Sequence, residues 1–126
     1  MNKTPLMLAA LSALALLGGT TPLLAQDAGP GQAVFQSQCS ICHSPQKGRN
    51  MIGPSLFGVV GRTAGQVEGF HYSPANKASG LTWDEATLDR YLTSPAAVVP
   101  HTIMTYGGLK DGARRANLIA YLATLH

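Results

Sequence analysis

The sequence has 126 residues, nine Lys and Arg against six Asp and Glu, 12% charged residues and two cysteines. That is enough for one small domain, and a formal charge of +3 with no run of Lys or Arg excludes the concentrated basic face that nucleic-acid binding requires. Three Phe, four Tyr and one Trp limit the core such a chain can bury, and domains this small commonly need a staple.

Residues 1–25 hold one cation, Lys3, an apolar run from Leu6 to Leu17, a Gly18-Gly19-Thr20-Thr21-Pro22 break and a small residue at Ala25. This is the layout of a secretory leader. A membrane helix needs roughly 20 uninterrupted apolar residues, and the glycines and proline end this run well short of that. The sequence therefore predicts a signal peptide over 1–25, cleaved after Ala25, with export to the periplasm and no stable membrane anchor. The mature domain is then 26–126. Nine cations less Lys3 leave eight against six acids, a mature charge of +2.

Residues Pro30 to Gln38 read as a first short helix that runs straight into Cys39, with proline early, where its missing N–H costs nothing. Ser73-Pro74-Ala75-Asn76-Lys77-Ala78 reads as a second, capped by Ser73, opened by Pro74 and followed by Gly80. Thr82 and Glu85 form a capping box for a third, which passes through Leu88, Tyr91 and Leu92 and is stopped by Ser94-Pro95. Prolines 95 and 100 are expected to hold the chain after it extended. Asp111 caps the last and strongest helix, where Leu118, Tyr121, Leu122 and Leu125 fall at the i, i+3, i+4, i+7 spacing of one buried face. No stretch alternates long enough for a strand, so the fold class is all-α. Between Ser44 and Leu81 lie seven glycines and three prolines with only the one short helix. Such a segment needs a surface to pack on and partners for its backbone, and a large apolar cofactor supplies the surface.

The chemistry-bearing motif is Cys39-Ser40-Ile41-Cys42-His43. Two thiols three residues apart can each add to one vinyl group of a single porphyrin, and the adjacent imidazole then reaches the iron, so CxxCH reads as c-type haem attachment. A thioredoxin-type redox pair needs a βαβ setting that is missing, and zinc needs a second ligand pair that the sequence lacks. A plain disulfide stays chemically allowed in an exported chain. For the second axial position the mature chain offers Met51, Met104, His71, His101 and His126. Met104 lies in a polar stretch, Pro100-His101-Thr102-Ile103-Met104-Thr105-Tyr106, not on an apolar helix face, which favours it as a ligand over a core filler. Met51 reads as loop packing. The three other histidines read as surface residues without metal-ligand spacing, His101 lying close enough to Met104 to replace it under stress.

Taken in order, several pieces resemble the class I c-type cytochromes along residues 29–125: Gly31 with Phe35, the CxxCH pentapeptide, Gly53-Pro54-Ser55-Leu56, Gly58-Val59-Val60-Gly61-Arg62, Gly69-Phe70-His71-Tyr72, Asn76-Lys77, Gly80-Leu81-Thr82-Trp83, Tyr91-Leu92, Pro100 with Met104, and Leu118-Ile119-Ala120-Tyr121-Leu122. The resemblance implies three to five helices with long loops wrapped around one haem c, bound covalently through Cys39 and Cys42. His43 and Met104 would be the axial ligands, and the Pro54 carbonyl would orient His43. Arg62, Tyr72, Asn76 and Trp83 would surround the haem propionates, while Tyr91 and Thr102 would support the Met side. Gly31 and Phe35 would pack on Leu118 and Tyr121 where the first and last helices cross. The implied function is a monomeric, periplasmic one-electron carrier, not an enzyme. Its redox partners would be a quinol-oxidising complex, a terminal oxidase or a periplasmic dehydrogenase. A dedicated dehydrogenase subunit, and an open-site enzyme or sensor if Met104 is not a ligand, remain alternatives. The His43 to Gly53 loop is short for the mitochondrial branch. Where mitochondrial relatives place lysines around the haem edge, this sequence has Gln38, Ala96-Ala97 and Ile103, so the docking face is expected to be nearly uncharged.

Overall fold

The computed structural model describes residues 26–126, and the expected leader over 1–25 lies outside the described residues. Five helices follow one another: α1 (Ala28–Gln38), α2 (Pro74–Ala78), α3 (Glu85–Thr93), α4 (Pro95–Val98) and α5 (Gly112–Ala123). Among the described residues the sole β pairing is an isolated bridge between Thr63 and Thr82, so the all-α reading holds. No helix there is long and apolar enough to cross a membrane.

Local side chains set the helix starts. The Asp27 carboxylate accepts the Gly29 N–H at 2.9 Å, so α1 begins two residues before Pro30. Ser73 and Asp111 cap α2 and α5 as expected, accepting from the N–H groups of Asn76 and Arg114. The third start differs from the expected capping box. Asp84, not Thr82, caps α3 and accepts the Thr87 N–H at 2.7 Å, while the Trp83 N–H and carbonyl pair with Arg62 and Gly61, which keeps Trp83 out of the helix. Pro95 also does more than stop α3: it opens α4, a single turn, so the chain before Pro100 is not extended throughout. Proline ends one helix and begins another for the same reason, since it has a fixed helical φ and no N–H to satisfy.

The N-terminal and C-terminal helices cross at close range. A Cβ on Gly31 would collide with the Asn117 carbonyl of α5, so only glycine lets the two backbones approach this near. Phe35 lies 5.4 Å from the Tyr121 ring, at a tilt of 54°, and the Asn117 amide oxygen takes the Asp27 N–H at 2.9 Å. Helix α5 points Leu118 and Leu122 inward as the spacing predicts, with Ile119 buried beside them and Tyr121 and Leu125 at the edge. The Arg115–Asp89 ion pair ties α5 to α3. The glycine-rich segment finds its backbone partners in the stretch just before α3: Ala64 N–H donates to Leu81, Trp83 N–H to Arg62, and Gly61 N–H to Trp83.

Candidate functional site

At its C-terminal end α1 winds directly into the cysteine motif. The N–H groups of Cys39 and Ser40 both reach the Phe35 carbonyl, and those of Cys42 and His43 both reach the Cys39 carbonyl. These tightened turns fix both thiols and the imidazole relative to a helix that is itself pinned by α5. They face a cavity of about 400 Å³, within the range of about 300–1,000 Å³ typical of ligand and cofactor sites. All the expected site residues line it: Cys39, Cys42, His43, Pro54, Arg62, Tyr72, Asn76, Trp83, Tyr91, Thr102 and Met104.

The geometry around His43 suits a metal ligand. Its Nδ1 lies 2.7 Å from the Pro54 carbonyl oxygen, an arrangement that places the proton on Nδ1 and leaves the Nε2 lone pair free. Burial holds its pKa below the usual imidazole value, the Pro54 bond working against this and the Arg62 charge with it. The ring is therefore neutral, as a ligand must be. Gly53 backs it so closely that any Cβ there would collide with the ring. The same burial, with Cys42 adding, pushes the Cys39 thiol up to about 11. Both cysteines are free and not joined in a disulfide.

On the other side of the chain, the Tyr91 hydroxyl lies 3.7 Å from the Met104 sulfur, and burial raises the Tyr91 pKa, so that it remains a donor. Thr102 accepts the Met104 N–H through its hydroxyl at 3.2 Å. Trp83 packs on Tyr91 with ring centroids 4.6 Å apart. Arg62 is anchored by donating to the Ser55 and Phe57 carbonyls, each at 3.1 Å.

Two buried polar atoms on the cavity residues have no partner among the described residues, Arg62 Nε and Asn76 Oδ1. Orphans of this kind are costly unless a ligand satisfies them. The arginine fits a carboxylate as it stands. Asn76 presents an acceptor, and it suits a carboxylate with its amide turned over, which breaks no recorded bond and offers two donors. A wall of Leu56, Val59, Leu88, Leu92, Leu118 and Leu122 completes the site. Two thiols, a neutral imidazole, a thioether, an apolar wall and donors for carboxylates together fit a haem with its propionates.

His71, His101 and His126 are exposed and line no part of the cavity. Met51 is a loop residue 41% exposed and does not line the cavity. Sequence reasoning named Ser55 only as part of the Gly53-Pro54-Ser55-Leu56 stretch and gave it no role. It is buried, its hydroxyl donates to the Gln46 carbonyl at 2.6 Å and its N–H donates to the Asn50 amide oxygen, which fixes the backbone beside Pro54.

This fold and cavity define a small helical protein built around a covalent haem. A family profile described as Cytochrome c matches residues 28–126. The cytochrome c2 of Rhodoblastus acidophilus is 54% identical over 100 residues, covering 79% of this chain and 92% of that protein. That of Rhodomicrobium vannielii is 48% identical over 118 residues, covering 93% and 94%. Among solved structures, cytochrome cH from Methylobacterium extorquens matches with a TM-score of 0.73 at 42% identity, covering 78% of this chain and 98% of that one. The chain belongs to the cytochrome c family. It is an electron-transfer protein whose cofactor is haem c, held through Cys39 and Cys42.

Proposed function

We propose that the mature chain, residues 26–126, is a soluble, monomeric, periplasmic carrier of one electron, in which His43 and Met104 would hold the haem iron. The observation that carries this reading is the convergence of a neutral imidazole held at Nδ1 by Pro54 and a thioether beside Tyr91 on one cavity. The bound haem supplies the chemistry, a one-electron Fe(III)/Fe(II) couple. The protein's residues tune it. Pro54 makes His43 a better donor by accepting its Nδ1 proton in a hydrogen bond. Sulfur from Met104 and the leucine-lined wall both favour the less charged, reduced state and so raise the potential. Arg62 and Asn76 would hold the propionates, and Tyr72 and Trp83 would close that end of the pocket. The bracing of His43 by Pro54 and of Met104 by Tyr91 and Thr102 would let both residues stay in place between oxidation states, which would keep the barrier to exchange low. The electron would cross the edge bounded by Cys39 and Ile103, toward a quinol-oxidising complex, a terminal oxidase or a periplasmic dehydrogenase.

Met104→Ala tests the assignment. It is expected to retain haem, lose the weak long-wavelength sulfur-to-iron absorption band and show a lower potential; an unchanged band and potential would exclude Met104 as a ligand. The mass of the exported wild type should equal residues 26–126 plus one haem. A second reading, a subunit dedicated to one dehydrogenase, draws support from the exposure of Ile41, Ile52 and Ile103 at the cavity mouth. Stable co-purification in fixed stoichiometry would decide for it.

A further inference from the structure

Between α4 and α5 the chain runs from Val99 to Asp111 without a helix, and its hold on the cavity rests on a few bonds. One runs from Tyr91 of α3 to the Met104 sulfur, and another lies within the segment, from the Met104 N–H to Thr102. Beyond Met104, the Leu109 N–H and Lys110 ammonium fasten the stretch to the end of α3. A fastening of a different kind crosses the molecule: the Tyr106 hydroxyl donates to the Gln38 amide oxygen at 3.2 Å, between residues 68 apart in sequence. Among the described residues it is the only hydrogen bond joining residues 27–43 to residues 94–110. Both side chains are half-buried, and both line the cavity. Gln38 directly precedes Cys39, whose carbonyl receives the His43 N–H.

We propose that Gln38 and Tyr106 form a clasp across the cavity mouth that keeps the Met104 segment shut, which makes them positioning residues for the Met104 sulfur. The proposal rests on the reading of Met104 as a ligand and adds what holds it in place. The chemistry is selective for this pair. A phenylalanine at 106 has no donor, and a lysine at 38 has no acceptor. Because the clasp is the only hydrogen bond between these two stretches among the described residues, a motion that carries Tyr106 away from Gln38 with the Met104 segment breaks it.

The test is the rate at which saturating imidazole binds the oxidised holoprotein, which then reports how fast the sulfur lets go. Tyr106→Phe keeps the ring and removes the donor; Gln38→Ala removes the acceptor. Each is expected to raise that rate by roughly two- to tenfold, the range expected for losing one net hydrogen bond. The double variant should be no faster than either single one, because all three break the same bond. Gln38→Glu, which keeps an acceptor oxygen, should stay near the wild-type rate. Unchanged rates in a protein that shows the sulfur-to-iron band, or single effects that multiply in the double variant, would overturn the clasp alone. A wild type without that band would overturn the ligand assignment and the clasp with it.

Discussion

At His43 two backbone features act on one ring. The Pro54 carbonyl takes the Nδ1 proton, and Gly53 leaves room for the imidazole where any side chain would overlap it. Gly53→Ala must therefore move the ring, the Gly53-Pro54 backbone, or both. Overpacking of this kind typically costs about 1–3 kcal/mol. We expect denaturant titration of Gly53→Ala holoprotein to give an unfolding free energy lower by that amount, and a shifted potential, since the Pro54 bond lengthens as the ring is displaced. An unchanged midpoint and potential would mean that the ring has slack the structure does not suggest. The residues with distinctive chemistry, Cys39, Cys42, His43 and Met104, were legible in the sequence because few other side chains do what they do. Ser55 was not. A serine in a glycine-rich stretch looks like any loop serine until Gln46, Asn50 and Arg62 are folded around it.

Helix caps show which element boundaries a sequence fixes and which it leaves open. Ser73 and Asp111 stand alone before their helices and were read directly. Before α3 two capping side chains stand two residues apart, and local pattern cannot rank Thr82 against Asp84; the tertiary pairing of the Trp83 backbone with Gly61 and Arg62 decides it. The leucines of α3 and α5 were legible as buried faces, but spacing alone does not say that Leu88, Leu92, Leu118 and Leu122 border a cofactor cavity as well as each other. Asp84 as cap makes a pH prediction. Its hydrogen bonds to Thr87 hold its carboxyl below the ordinary aspartate value of 3.8. A group whose folded pKa is depressed contributes stability above its unfolded pKa and loses it as pH falls through the folded one. Asparagine keeps the cap but not the titration. Between about pH 6 and pH 3, thermal unfolding should therefore show the wild type losing stability faster than Asp84→Asn. Parallel curves would place the Asp84 proton equilibrium outside the folding reaction.

Over the whole molecule, charge is sparse where contact with a partner is expected. The mouth of the cavity carries Ile41, Ile52 and Ile103, exposed by 79%, 78% and 67%, with Gln38 beside them and Ala96 and Ala97 exposed on α4. None of these can be charged, and residues 26–126 carry eight cations and six acids. Long-range steering, which can raise association rates by roughly 10- to 1,000-fold, needs a concentrated field of one sign. Here apolar burial has to supply the attraction once the surfaces meet, and that term does not weaken with salt. The bimolecular rate of electron exchange with the physiological partner should then change by less than about tenfold as ionic strength rises from about 0.01 M to 0.15 M, over which the screening length shrinks from about 30 Å to 8 Å. A steeper fall in stopped-flow measurements would mean that the partner reads charges lying beyond this apolar rim. In that case Lys47, Lys77 and Lys110, exposed elsewhere on the surface, become the residues to neutralise next. A flat profile that collapses on Ile103→Glu would instead place the encounter on the rim itself, because a buried unpaired carboxylate opposes contact at any ionic strength.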